Sequence, residues 1–160
     1  MLKTWILSLM LTLQPKAPWA DTYESTAESI ATVVESEAPL FAGDKGREMT
    51  AALLVSVAWF ESTFKPTAIG DSGRSFGLFQ IQKGNLSSGV TSEILMKDPQ
   101  IGVREALRLL RKSMQTCTQK KVDERLALYV SGSCERGEPA SRARMGYAKH
   151  LVAKHPPPPR

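Results

Sequence analysis

The sequence is poor in the residues that build metal centres and nucleophilic triads. Among 160 residues there are two cysteines and two histidines. His150 and His155 lie close to the end of the chain, where neither forms a plausible nucleophile and base pair with Ser62 or Ser75. No cluster of His and Cys has the spacing of metal ligands. We therefore expect chemistry that needs no metal and no cofactor.

Long hydrophobic runs are also missing, since no apolar stretch approaches the roughly 18 residues that span a bilayer. Hydrophobic residues make up 42% of the chain and charged residues 23%, which is typical of one compact globular domain.

The charge is weakly basic. The chain has 21 basic and 16 acidic residues, and the first 20 residues contain Lys3, Lys16 and no acid, which leaves 19 against 16, or +3, over residues 21–160. The basic residues of the segment 101–115 are interpreted as the solvent-facing side of a helix. Without interleaved aromatic residues, this pattern argues against a nucleic-acid-binding protein.

The first 20 residues resemble a targeting segment. Lys3 precedes a nine-residue apolar run, residues 5–13, and Ala20 follows as a residue before cleavage. We predict a signal peptide over residues 1–20 and a periplasmic or secreted protein without stable membrane insertion after cleavage. The alternative is an N-terminal helix that stays as an anchor or packs on the core.

The two cysteines fit export, because Cys117 and Cys134 can form one disulfide in an oxidising compartment. Two free thiols in a cytosolic protein are the alternative.

Helical periodicity dominates the rest of the chain, and strand alternation is rare. Helices are predicted over residues 22–37, 45–60, 101–115, 122–129 and 141–154, and Asp98 with Pro99 marks the start of the third of them. Loops rich in glycine and proline are predicted over 63–82 and 84–89. Residues 155–160, with four consecutive prolines, are predicted to form a disordered extended tail.

Glu61 is the most informative residue of the sequence. Leu54, Val57 and Ala58 form an apolar helical stripe, and Glu61 continues that stripe at the helix end. A carboxyl group desolvated in this way has a raised pKa and can act as a general acid on a glycosidic oxygen. An ordinary helix-ending Glu that pairs with an Arg is the alternative.

The sequence WFESTFKPTAIGDSGRSFGLFQIQ, residues 59–82, resembles the soluble lytic transglycosylase and goose-type lysozyme superfamily. The matching residues are Glu61, Ser62, Phe64, Pro66, Ala68, Gly73, Ser75, Gly77, Leu78, Phe79, Gln80 and Ile81. Asp98 with Pro99, and the segment 127–132, resemble two later motifs of the family. The similarity covers residues 45–152 and implies an all-α, lysozyme-like domain over residues 21–154 with few or no β-strands.

The resemblance also implies roles for individual residues. Glu61 takes the place of the catalytic acid and base. The substrate-binding positions are Ser75, Gly77, Phe79, Gln80 and Tyr129. Two residues depart from the family pattern, because Phe79 stands where Met is frequent and Val130 replaces the usual Asn after Tyr. If a hydroxyl group substitutes for that amide, Ser131 and Ser133 are the candidates.

The implied reaction is that of a lytic transglycosylase, in which one Glu cleaves the MurNAc-β-1,4-GlcNAc bond and leaves 1,6-anhydro-MurNAc ends. Two alternatives stay open. A goose-type lysozyme-like muramidase would use Asp71 as a second carboxylate, although Gln82 replaces a further Asp and Asp71 also suits a turn. A cell-wall-binding protein would have lost catalysis. A secretion or conjugation machine is a suitable partner for a small one-domain enzyme, but wall turnover and phage entry fit equally.

Overall fold

The computed structural model describes residues 1–159 as a mostly helical domain, so the predicted all-α fold is confirmed. The helices and strands, in chain order, are α1 (Leu2–Leu13), α2 (Ala20–Ser36), α3 (Gly46–Ser62), β1 (Ile69–Gly70), β2 (Ser75–Phe76), β3 (Ile81–Gln82), α4 (Ser92–Lys97), α5 (Pro99–Thr116), α6 (Ala127–Ser131) and α7 (Glu138–Lys154). Two short 3₁₀ turns, Lys83–Asn85 and Val122–Glu124, complete the architecture.

Helix α3 is the centre of the domain and packs against α7, α1 and α2. Every residue from Thr50 to Ala58 is buried. The predicted apolar stripe is therefore only one side of a helix that is covered all round, as expected for a central helix. This packing fixes the direction of the last turn of α3, which carries Glu61.

The three short strands form an antiparallel sheet in the order β1, β2, β3. Ile69 pairs with Phe76, and Phe76 pairs with Ile81 on its other side. Each strand has only two residues, which agrees with the expectation of few strands. The sheet gives the glycine-rich segment after α3 a defined shape.

Local capping signals explain the start of α5. The Asp98 Oδ1 atom accepts hydrogen bonds from the backbone N–H groups of Gln100 and Ile101, at 2.9 and 3.3 Å, and Pro99 occupies the first turn. The predicted start of this helix is confirmed. Helix α4, which was not predicted, is capped by the hydroxyl group of Thr91.

The helix predicted over residues 122–129 is wrong as one element, because the structure divides it into a 3₁₀ turn and α6. Ser141 of α7 lies at the division. Its hydroxyl group donates to the carbonyl of Asp123 at 2.7 Å and accepts from the N–H of Leu126 at 3.0 Å. These bonds to a residue of another helix replace the continuous i to i−4 ladder.

Helix α1 packs on the core. Trp5, Ile6, Leu9 and Met10 are buried, and Trp5 Nε1 donates to the carbonyl oxygen of His155 at 2.8 Å. Pro156 and Pro158 of the predicted tail lie beside this helix, whereas Arg160 lies outside the described residues. No helix within residues 1–159 has the length and apolar character needed to cross a membrane.

Candidate active site

A cavity of about 730 Å³ opens between the end of α3, the small sheet, α5 and α6. Its lining includes predicted site residues from separate segments, namely Glu61, Asp71, Ser75, Gln80 and Tyr129. Arg74, Asn85 and Lys112 also line it. The fold thus collects polar side chains from distant parts of the sequence around one cleft.

Glu61 lies in the last turn of α3 with its side chain only 18% exposed. The chain leaves the helix through Thr63, which has the left-handed φ of 50°. The Ser62 hydroxyl group donates to the carbonyl of Leu78 at 2.8 Å and so ties the helix end to the loop that follows β2. The Glu61 carboxylate is therefore held at the boundary between the core and the cleft.

The environment of Glu61 acts on its pKa in opposite directions. Burial raises the pKa above its ordinary value, and the positive charge and hydrogen bonds of Arg144 lower it. The negative charge of Asp71 raises it further. The net effect is a raised pKa, which is the direction that a general acid needs near neutral pH.

Tyr129 lies close to this carboxylate. Its hydroxyl group donates to the carbonyl of Phe79 at 2.8 Å. Burial raises the pKa of Tyr129 well above its ordinary range, and the charge of Glu61 adds to the effect. The phenol therefore stays neutral and provides a fixed polar wall beside Glu61.

Arg144 of α7 also belongs to the site, although it is not among the site residues predicted from the sequence. Its Nη2 and Nε atoms lie 2.7 and 3.1 Å from Oε1 of Glu61. The alternative interpretation of Glu61, a helix-ending Glu that pairs with an Arg, therefore also describes the structure. The pKa of Glu61 is raised in spite of this pair. The available signal was helical register, because Arg144 follows buried Ser141 by three residues and precedes buried Ala148 by four.

Asp71 is a turn residue at the edge of the cavity. The Ser75 hydroxyl group donates a hydrogen bond to the Asp71 carboxylate, and the Arg74 Nε atom donates to the Asp71 carbonyl at 3.0 Å. Asp71 has a φ of 50°, as a turn residue would. Asp71 also lines the cavity, and its negative charge is near enough to raise the pKa of Glu61.

The other predicted binding residues divide into two groups. Ser75 and Gln80 line the cavity, and the Gln80 amide donates to the carbonyls of Ala68 and Gly77, both at 3.1 Å. Gly77 and Phe79 do not line it. Phe79 is 1% exposed, so the expectation that its ring lines a sugar site is not met, and it contributes through the carbonyl that Tyr129 binds.

The segment after Tyr129 forms one end of the cavity. Val130, Ser131 and Gly132 line it, so the family's usual Asn position lies at the cleft. The Ser131 hydroxyl group lies 2.7–2.9 Å from the carbonyls of Ala127, Ser133 and Arg136. Because these bonds hold Ser131 to its own loop, it is a poor substitute for an amide that points into the cleft.

The predicted disulfide is present. Cys117, at the end of α5, is bonded to Cys134, in the loop between α6 and α7. The bond holds the end of α5 beside the loop that leaves α6, the helix that carries Tyr129. Within residues 1–159, no group of three or more His, Cys, Asp or Glu side chains is arranged to hold a metal ion.

A mostly helical domain with one very small sheet, and with Glu61 at the end of its central helix, is consistent with the lysozyme-like class of folds. Residues 39–148 match the family model described as "Transglycosylase SLT domain", and the chain belongs to that family. The resemblance seen in the sequence is thereby confirmed. Family membership indicates a lytic-transglycosylase-like domain that acts on peptidoglycan. No curated protein and no solved structure matches the chain significantly.

Proposed function

We propose that this protein is a peptidoglycan lytic transglycosylase and that Glu61 is its catalytic acid and base. The observation that supports this assignment best is the position of Glu61, which is largely buried at the cleft with a raised pKa. The only other carboxylate that lines the cavity within residues 1–159, that of Asp71, is engaged by Ser75. One working carboxylate suits a reaction in which the substrate supplies its own nucleophile.

In the first step, protonated Glu61 donates its proton to the glycosidic oxygen as the bond from that oxygen to C1 of MurNAc breaks. In the second step, the Glu61 carboxylate accepts the proton of the C6 hydroxyl group of the same sugar as O6 bonds to C1. The products are a GlcNAc end and a 1,6-anhydro-MurNAc end, and Glu61 is protonated again. Tyr129, neutral and fixed, lines the wall beside the reacting carboxyl group.

Hydrolysis is the second candidate, because Asp71 faces the same cavity and its charge reaches Glu61. An Asp71 that activated water would make the protein a goose-type lysozyme-like muramidase. The hydrogen bond from Ser75 and the turn geometry of Asp71 argue for a supporting role instead.

Mass spectrometry of the muropeptides released from purified sacculi tests the reaction type. We expect Glu61-dependent products that are ~18 Da lighter than hydrolytic ones, because ring closure replaces the addition of one water. Reducing ends would assign hydrolysis. Glycan binding without release of either product would favour the catalytically inactive wall-binding alternative.

Replacing Asp71 by Asn is expected to change the rate of glycan release by no more than about threefold, because a turn amide keeps the local hydrogen bonds. The loss of the nearby negative charge should also lower the pKa of Glu61 slightly and move the alkaline limb of the pH profile to lower pH. Asp44→Asn, an exposed change elsewhere, is the matched control. A loss of about a hundredfold for Asp71→Asn alone would assign Asp71 as a working base.

Export is part of the proposal, since SLT domains act on peptidoglycan outside the cytoplasm and a disulfide fits that location. Cleavage after Ala20 would leave a domain over residues 21–154 with the proline tail, and would uncover the faces of α2 and α3 on which α1 packs. The intact mass of the exported protein distinguishes cleavage from a retained α1. A secretion or conjugation machine as partner stays a hypothesis.

A further inference from the structure

Arg144 contacts only one of the two carboxyl oxygens of Glu61. Both of its hydrogen bonds to Glu61, from Nε and Nη2, go to the single oxygen Oε1. Among the residues that the structure describes, no hydrogen bond reaches Oε2 of Glu61. The two oxygens of the carboxyl group are therefore not equivalent.

The arginine itself is firmly held. Its side chain is 12% exposed, its Nη1 atom donates to the carbonyl of Ala140 at 3.0 Å, and its guanidinium carbon lies 4.9 Å from the ring centre of Phe60. The Ser56 hydroxyl group donates to the backbone carbonyl of Arg144 at 2.8 Å, which fixes this turn of α7 to α3. A side chain restrained at both ends can define the orientation of its partner.

We propose that Arg144 is a positioning residue of the catalytic site: by binding Oε1 of Glu61, it leaves Oε2 as the oxygen that gives and takes the proton. This inference rests on the proposed function. A protonated Oε1 would direct its hydrogen toward two N–H donors, which is unfavourable, so the proton belongs on Oε2. The same contact fixes the rotation of the carboxyl plane for both proton transfers.

The charge of Arg144 supports this role. The groups that face Glu61 are Arg144 of α7, Tyr129 of α6 and Asp71 in the turn before β2. Arg74 and Lys112 line the same cavity. Of these groups, Arg144 is the one whose charge and hydrogen bonds lower the pKa of Glu61 against the effect of burial. It thereby favours the carboxylate that exists between the two proton transfers.

The test is the pH dependence of kcat/KM for glycan cleavage by the full chain carrying Arg144→Met or Arg144→Lys. The free enzyme must carry a protonated Glu61, so activity falls as pH rises through the pKa of Glu61. Removing the positive charge raises that pKa, and we expect the alkaline limb of Arg144→Met to move upward by about one pH unit. The maximal rate should fall about tenfold or more, because the carboxyl group loses its fixed orientation.

Arg144→Lys keeps the charge but not the paired donors, so its alkaline limb should stay near that of the wild type while its maximal rate falls. Arg142→Met is the matched control, because it removes an equal charge from the same helix at an exposed pair with Glu124. If Arg144→Met and Arg142→Met have the same alkaline limb and rate, the proposal is wrong. If Arg144→Met does not fold, the same measurements are made on Arg144→Gln.

A direct titration of the Glu61 carboxyl carbon by NMR, in the wild type and in Arg144→Met, separates this proposal from the proposed function. If the wild type shows no Glu61-dependent cleavage, the proposed function is wrong. The positioning role of Arg144, which rests on that function, is then wrong as well. A pKa of Glu61 that Arg144→Met leaves unchanged would overturn the positioning role alone. An upward shift together with the altered pH profile would support both.

Discussion

Replacement of Glu61 by Gln is expected to lower the rate of glycan cleavage at least ~10³-fold with the fold intact. An amide of the same size cannot donate a proton to the leaving oxygen, nor can it accept one from the C6 hydroxyl group, so one substitution removes both proton transfers. The stability should change little or increase, since the substitution removes a charge that is costly to bury. Release of soluble muropeptides from sacculi measures the rate, and circular dichroism checks the fold.

Glu35→Gln is the matched control for this variant. Glu35 is exposed on α2, and the same exchange there should leave the rate unchanged. Cleavage by Glu61→Gln at more than about a tenth of the wild-type rate would contradict the role of Glu61 as acid and base.

Loss of the disulfide is expected to have the largest effect on stability. The bond closes a loop of 17 residues between Cys117 and Cys134, and the chain-entropy model gives a stabilisation of ~3 kcal/mol for a loop of this size. For a domain of this length, this corresponds to a decrease in Tm of about 10 °C. Because Cys117 is fully buried, Cys117→Ala with Cys134→Ala is a better variant than a pair of serines, which would bury an unpartnered hydroxyl group.

Thermal unfolding of the double variant, compared with that of the oxidised wild type, measures this contribution. The reduced wild type serves as the control, because it lacks the same bond with both sulfur atoms kept. A Tm within about 2 °C of the oxidised protein for both samples would show that the bond does not contribute as the chain-entropy model requires. A lowered activity at moderate temperature would further indicate that the bond helps to hold α6 and Tyr129 at the cleft.

Several features of the fold and site follow from local sequence. Asp98 and Pro99 predict the start of α5 because a helix cap is formed by residues adjacent in the chain. The stripe that ends in Glu61 predicts a carboxyl group where a core helix meets a loop, because helical periodicity alone determines which residues share a face. The motif from Glu61 to Ile81 predicts the family, which the match over residues 39–148 confirms.

Contacts between distant segments were decided only by the tertiary structure. Arg144 and Glu61 are 83 residues apart, and Tyr129 meets the Phe79 carbonyl across 50 residues, so neither pair has a local signature. The helix predicted over 122–129 divides because Ser141 of α7 binds both sides of the division. Phe79 lies in the core although its motif predicted a cleft residue. The sequence by itself determined the helical class, the family and the place of Glu61 at the end of a core helix, since these depend on periodicity, capping and motif. The orientation and the pKa of the Glu61 carboxyl group depend on which side chains the packing of α3 against α7 brings within hydrogen-bond distance.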